Sequence, residues 1–299
     1  MKQWMIDIQK LEGIDLRFDE PMASHISFRL GGNAEAFAIP KTVEELGELL
    51  QFSRENQVKT TILGAGSNVL VADSGVEGLV ISTHRGLTNL VQTGDTTIIA
   101  QSGVTMAKLA TFARDLGLSG LEFAHGIPGT VGGGIFMNAG AYGGEMVQVA
   151  MATKVMYMNG TMETFAGEAQ ELSYRHSGFQ DKNCVILETE FSLIPGDKEG
   201  ISNKMAEFSQ KRRMSQPLEY PSGGSTFKRP VGGYAAALID QAGLKGLTVG
   251  GACVSEKHSG FVINKGGATC RDVLELMEAV QAQVKAHSGV DLESELRVL

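Results

Sequence analysis

Ile62-Leu63-Gly64-Ala65-Gly66-Ser67-Asn68-Val69-Leu70-Val71 is the stretch on which the fold turns. A β-prone apolar run enters a Gly-Ala-Gly turn and leaves it as β again. Small residues therefore stand where backbone N–H groups can approach a phosphate closely. A Rossmann fingerprint would need a third glycine where Val69 stands and a helix after it; Val69-Leu70-Val71 supplies neither. Taken alone, the segment reads more readily as an ordinary glycine turn between strands.

A second stretch changes that balance. Gly126-Ile127-Pro128-Gly129-Thr130-Val131-Gly132-Gly133-Gly134 runs on through Asn138-Ala139-Gly140-Ala141-Tyr142-Gly143-Gly144. Glycine loses more conformational freedom on folding than any other residue, so this density implies that something requires a bare backbone. No Lys-Ser or Lys-Thr closes the run, which excludes a Walker loop. Two glycine loops, each expected to follow β structure, suit a nucleotide cofactor whose pyrophosphate is held by main-chain donors without a helix dipole.

Outward from these loops, β-rich runs recur at Thr60-Thr61-Ile62-Leu63, Gly78-Leu79-Val80-Ile81 and Thr96-Thr97-Ile98-Ile99-Ala100, with helices between them. Thr42 and Glu45 form a capping box ahead of Leu46, Leu49 and Leu50. A second helix is predicted from Met106 to Leu116, stopped by Gly117. Beyond about residue 200 the texture changes: a helix from Ser202 to Arg213, a Pro/Gly-rich stretch from Gln216 to Gly233, and a helical segment from Tyr234 to Ala242. Val273, Met277, Val280 and Val284 then make an apolar stripe at helical spacing, with Thr269 and Asp272 placed to cap it. Val290 to Leu299 alternates like a strand with one buried face. Little chain follows Glu295 to anchor it.

At 299 residues with a net charge of −8, the chain has room for two or three compact units and argues against a nucleic-acid binder. Lys211-Arg212-Arg213 reads either as a phosphate contact or as a solvated helix end. The charged first twenty residues exclude a signal peptide, and no apolar run approaches membrane-spanning length, so a soluble cytoplasmic protein is expected. Three widely spaced cysteines fit reduced thiols better than a disulfide frame or a metal site.

The order and spacing of several short stretches carry a resemblance to a known family. They are His25-Ile26-Ser27-Phe28-Arg29-Leu30-Gly31-Gly32, both glycine loops, Tyr174-Arg175-His176-Ser177, Pro221-Ser222-Gly223-Gly224-Ser225-Thr226-Phe227-Lys228 and Leu292-Glu293-Ser294-Glu295. Together they resemble the UDP-N-acetylenolpyruvoylglucosamine reductases over essentially the whole chain. The resemblance implies an α+β architecture. An FAD-binding PCMH-type (vanillyl-alcohol-oxidase-like) unit of two subdomains would span residues 1–200, with a boundary near 85. An α+β substrate-binding domain would span 201–299. It implies noncovalent FAD, reduced by NADPH, and a UDP-N-acetylglucosamine enolpyruvate substrate handled by a single chain. The run from Arg175 through Phe179 to Val185 leaves no space for the extra loop of one branch of the family, so the chain looks like the shorter, type II branch.

The resemblance also assigns residues. Gly64, Ala65, Gly66, Ser67 and Asn68, with Gly126, Ile127, Pro128, Gly129, Thr130, Gly132, Gly133, Asn138 and Gly140, would hold the cofactor. Hydride addition to the vinyl carbon leaves enolate-like charge on the substrate carboxylate, which must be stabilised while the adjacent carbon is protonated. Ser225 would donate that proton, and Arg175 and Glu295 would act at the carboxylate. Periodicity puts Glu293 and Glu295 on one strand face; only the family motif selects Glu295. Tyr174, Lys228 and His258 are expected substrate contacts, although a histidine in Ser255-Glu256-Lys257-His258 reads at least as readily as a structural residue. Two rival readings stay open at this level: a flavin oxidase of the same fold, and a catalytically dead nucleotide-binding protein.

Overall fold

A computed structural model describes residues 2–299. The chain forms two compact units that interleave in sequence. One contains residues 2–19, 35–65 and 77–210; the other contains 20–34, 66–76 and 211–299. The division expected from sequence places a domain boundary at 200 and a subdomain boundary near 85; the two compact units instead join two early segments to the C-terminal residues.

The first unit is built on two sheets. In the four-stranded sheet the order is Asp15–Pro21, Asn33–Ile39, Val76–Ser82, Thr60–Leu63, and the last two strands run parallel, Thr60 opposite Leu79. The helix Val43–Glu55 supplies Leu46, Leu49 and Leu50 to this sheet's core with Ala36, Leu79 and Ile81. Thr42 caps it by accepting the Glu45 N–H, while the Glu45 carboxylate reaches back to the Lys41 N–H, one residue beyond the expected box. The second sheet, wholly antiparallel, has the order Met162–Ala166, Ala150–Tyr157, Cys184–Ser192, Thr97–Gln101, Leu90–Gln92. Met106–Asp115 packs Leu109, Ala110 and Ala113 against it and ends at Gly117, whose φ of +73° is the left-handed stop.

The second unit carries the antiparallel strands Thr248–Val249, Ala252–Val254 and Val262–Asn264 with the helices Ala235–Gln241 and Cys270–Ser288. Thr269 and Asp272 close the capping box of the long helix. Asp73 adds a second cap, its carboxylate accepting the N–H groups of Cys270 and Arg271.

Two expectations change here. Val290–Leu299 is not one long strand: Ser294 bridges Phe227, and only Arg297–Val298 is strand, parallel to Val69–Leu70. Nor is this end poorly anchored, since Leu299 donates to the Leu70 carbonyl and accepts from Ala72. The helix predicted from Ser202 to Arg213 spans Lys198–Ser215, with Arg212 and Arg213 in its last turn.

Candidate active site

The first glycine loop stands as read, between Thr60–Leu63 and Val69–Leu70. A Cβ on Gly64 would lie 2.6 Å from the Thr130 hydroxyl, so the two glycine loops meet in the first unit and a side chain would wedge them apart. In the second unit Gly66 has φ +63° and its missing Cβ would run into the His25 carbonyl. Among the described residues, no acceptor takes the N–H groups of Ala65, Gly66 or Ser67. The Thr130 hydroxyl is likewise buried without a partner. Unspent main-chain donors in a loop whose two glycines tolerate no side chain fit a phosphate-bearing cofactor.

The second run departs from expectation. It follows a 3₁₀ turn, Glu122–Gly126, rather than a strand, and its middle is the short helix Val131–Phe136. Glu122 organises that approach. Burial opposes its charge, but the Ser119 hydroxyl (2.6 Å) and the Gly120 N–H (2.9 Å) outweigh burial and hold its carboxyl below the usual range. Gly132 donates to the Ser102 carbonyl at 2.9 Å, and its absent Cβ would sit 2.8 Å from the Ser102 Cβ. Its glycine is therefore a packing requirement, and its N–H is not on offer to a cofactor. Asn138 is likewise engaged within the chain. Its buried side chain donates to Glu145 (3.1 Å) and to the Ser173 carbonyl (2.9 Å) and accepts from the Val147 N–H (2.9 Å). It braces the run from within.

Tyr174 and Arg175 form the tip of a tight hairpin in which Ser173 and His176 exchange both backbone bonds at 3.1 Å. Arg175 has φ +56°, a left-handed conformation that costs a non-glycine residue about 1–2 kcal/mol. Its guanidinium lies 5.1 Å over the Tyr174 ring. Arg175 is half-buried, and its planar, permanently charged guanidinium is the kind of group that grips a carboxylate.

In the second unit, Thr226 accepts the Glu295 N–H at 2.9 Å, and Lys228 donates its N–H to the Glu293 carbonyl at 2.8 Å. These two bonds flank the Phe227–Ser294 bridge and place Ser225, which is exposed after the left-handed Gly224, one residue before the Thr226–Glu295 contact. The structure also separates the two glutamates that periodicity could not. Glu293 is exposed and ion-paired with Lys228, whereas Glu295 is half-buried. Lys228 thus arrives already paired. His258 is held locally: its N–H and that of Lys257 bond the Ser255 hydroxyl, its Nδ1 accepts the Gly260 N–H at 3.2 Å, and its ring meets Phe261 edge-on. Burial lowers its pKa, so the neutral form is favoured. These bonds account for His258 as a structural residue.

Sequence reading missed Ser102, whose carbonyl fixes Gly132, and Gln180, which bonds the backbone of the Arg175 turn. Neither lies in a motif; Ser102 acts thirty positions from Gly132, and Gln180 ties the Arg175 turn to Phe136, forty-four positions away. Among the described residues, no group of three or more metal-binding side chains is found, and no helix is long and apolar enough to cross a membrane.

Comparison with known proteins agrees with this geometry. Residues 34–166 match the FAD binding domain family, and residues 216–299 match the family described as UDP-N-acetylenolpyruvoylglucosamine reductase, C-terminal domain. A UDP-N-acetylenolpyruvoylglucosamine reductase from Syntrophomonas wolfei is 43% identical over 284 residues, 95% of each chain. That of Streptococcus pneumoniae strain JJA is 42% identical across 100% of this chain and 98% of its own. The crystal structure of the Thermus caldophilus enzyme superposes with a TM-score of 0.81 at 33% identity, covering 95% of this chain and 98% of that one.

Proposed function

The chain belongs to the UDP-N-acetylenolpyruvoylglucosamine reductase family, and on that premise we propose that NADPH is its hydride donor and that Arg175, Ser225 and Glu295 do its chemistry. The family's reaction reduces the enolpyruvyl ether of a UDP-sugar to the lactyl ether of UDP-N-acetylmuramate, a peptidoglycan precursor. What carries this reading is similarity along the full chain, which includes both an FAD-binding domain and the reductase C-terminal domain.

Bound FAD would supply the hydride-transfer chemistry between NADPH and the enolpyruvyl double bond. Gly64, Ala65, Gly66, Ser67 and Asn68, with Gly126, Ile127, Pro128, Gly129, Thr130, Gly133 and Gly140, would hold it without a covalent tether, and Gly132 and Asn138 would shape the second run from within. Arg175 carries the permanent charge that a substrate carboxylate requires once enolate character spreads onto it. The Ser225 hydroxyl delivers a proton to the adjacent carbon, a task for which a serine suffices because the carbanionic centre is itself strongly basic. Glu295 works beside the same carboxylate, either protonated or neutralised by the arginine, because two bare carboxylates would repel. Tyr174 and Lys228 are the proposed contacts to the nucleotide, with the Glu293 ion pair opening when phosphate arrives. We place the reaction in the cytoplasm, with one chain as the working unit of the shorter, type II branch. Residues 201–299 serve as the substrate-binding portion.

The test is direct. Purified protein, supplied with NADPH and UDP-N-acetylglucosamine enolpyruvate, should yield a product heavier by one hydride and one proton, and denaturation should release free FAD. Flavin retained on the denatured chain, with no reduced sugar formed, would favour an oxidase of the same fold.

A further inference from the structure

We propose that Gln180 is a positioning residue for Arg175, holding the arginine's backbone so that its guanidinium is presented to the substrate carboxylate; this rests on the role given to Arg175 above. Three observations carry it. Arg175 is in a left-handed conformation that its side chain does not favour, so something outside the residue must hold it there. The Gln180 carboxamide nitrogen donates to the Phe136 carbonyl at 2.8 Å and to the Arg175 carbonyl at 3.2 Å, with the Met137 sulfur a longer acceptor at 3.8 Å. The opposite amide orientation would set an oxygen against two carbonyl oxygens, so the network itself fixes the donor.

Phe136 is the last residue of the glycine-rich helix, and its carbonyl is one that the helix cannot satisfy itself. It also receives the buried Ser177 hydroxyl at 2.8 Å. From the other side, Asn138 donates to the Ser173 carbonyl at the base of the same hairpin. The Arg175 tip is therefore clamped at both ends to the run proposed to hold the flavin. Removing Gln180's donors releases the end nearer the arginine: the left-handed residue relaxes and its guanidinium swings. A misplacement on the order of 1 Å can cost about 100-fold in rate.

The experiment uses FAD-loaded full-length protein as wild type, Gln180→Leu, Arg175→Ala and the double variant. It reads the NADPH-driven reduction of the flavin, its reoxidation by UDP-N-acetylglucosamine enolpyruvate, and the dissociation constant of UDP-N-acetylmuramate by calorimetry. Gln180→Leu should slow the limiting rate of reoxidation about tenfold or more and weaken product binding, with flavin reduction within about twofold of wild type. In the Arg175→Ala background the same substitution should change neither reoxidation nor product binding further, which a merely structural helix cap would not produce. Additive effects, or a Gln180→Leu protein that reoxidises at the wild-type rate while Arg175→Ala is slow, overturn the inference alone. An Arg175→Ala protein at the wild-type rate overturns the role of Arg175 and this inference with it. Should Gln180→Leu not fold, Gln180→Asn, which keeps the carboxamide on a stem too short to reach both carbonyls, reads the same quantities.

Discussion

The Thr226 carbonyl accepts the N–H of Glu295 at 2.9 Å, so two segments far apart in sequence meet backbone to backbone, with Ser225 one residue from the contact. The proposed proton donor is thus adjacent in sequence to the residue that holds the backbone of the half-buried Glu295. Ser225→Ala should leave NADPH-driven flavin reduction within about twofold of wild type and slow reoxidation by the enolpyruvyl substrate by about 10²–10⁴-fold. Stopped-flow absorbance separates the two steps. Equal loss in both, or in neither, removes the serine from the proposed role.

The two glutamates should part company under substitution. Glu293→Gln breaks an exposed pair with Lys228, so both its stability and its turnover should stay close to wild type. Glu295→Gln should cut turnover by about 100-fold or more without lowering the melting temperature by a comparable measure. Steady-state kinetics beside thermal melts checks both.

Gly64 and Gly132 are glycines for different reasons, and alanine should reveal it. Gly64→Ala places a methyl against the Thr130 hydroxyl between the two loops, so flavin affinity should fall by about tenfold or more while the apoprotein still folds. Gly132→Ala presses on the Ser102 side chain inside the packed core and should cost about 1–3 kcal/mol of stability. Flavin titration and denaturant melts distinguish the two. If Gly132→Ala lost flavin at full stability, its place as a packing residue would be wrong.

Acid should weaken the fold through two histidines before it reaches the carboxylates. Burial lowers the pKa of His125, helped by the nearby Arg114, and burial also lowers that of His258. With folded values below the unfolded value of about 6.5, the unfolded chain binds protons that the folded one refuses. Stability is therefore complete above that unfolded value and declines as pH falls from it towards the folded values. Glu122, held below its ordinary range, titrates lower still. The melting temperature should drop between about pH 7 and pH 5.5, and a His125→Gln, His258→Asn double variant should flatten that slope. An unchanged slope would assign the acid sensitivity elsewhere.

Much of the frame was legible because it is written in local chemistry. Thr42 and Glu45, Thr269 and Asp272, and the stop at Gly117 each announce a helix end by side chains that bond within one turn. The first glycine loop was readable because β-prone residues flank it on both sides. The second was misread as loop throughout, since three consecutive glycines argue against a helix by propensity. Contact with Ser102 and Met106, which no window of sequence displays, overrides that preference and needs Gly132 and Gly134 bare. The Arg175 turn was illegible for the same reason. Left-handed positions are signalled by glycine or asparagine, and an arginine held there by a glutamine and an asparagine from neighbouring segments carries no such mark. The choice between Glu293 and Glu295 likewise depended on a lysine about sixty-five positions away.

The central claim is that one chain carries hydride from NADPH to an enolpyruvyl ether. The most direct measurement is made without oxygen, by reducing the bound flavin with NADPH, removing excess nucleotide, and adding UDP-N-acetylglucosamine enolpyruvate while following the flavin's visible absorbance. Return of the oxidised spectrum with one equivalent of UDP-N-acetylmuramate formed per flavin is the predicted result. A flavin that stays reduced in the presence of that substrate would contradict it.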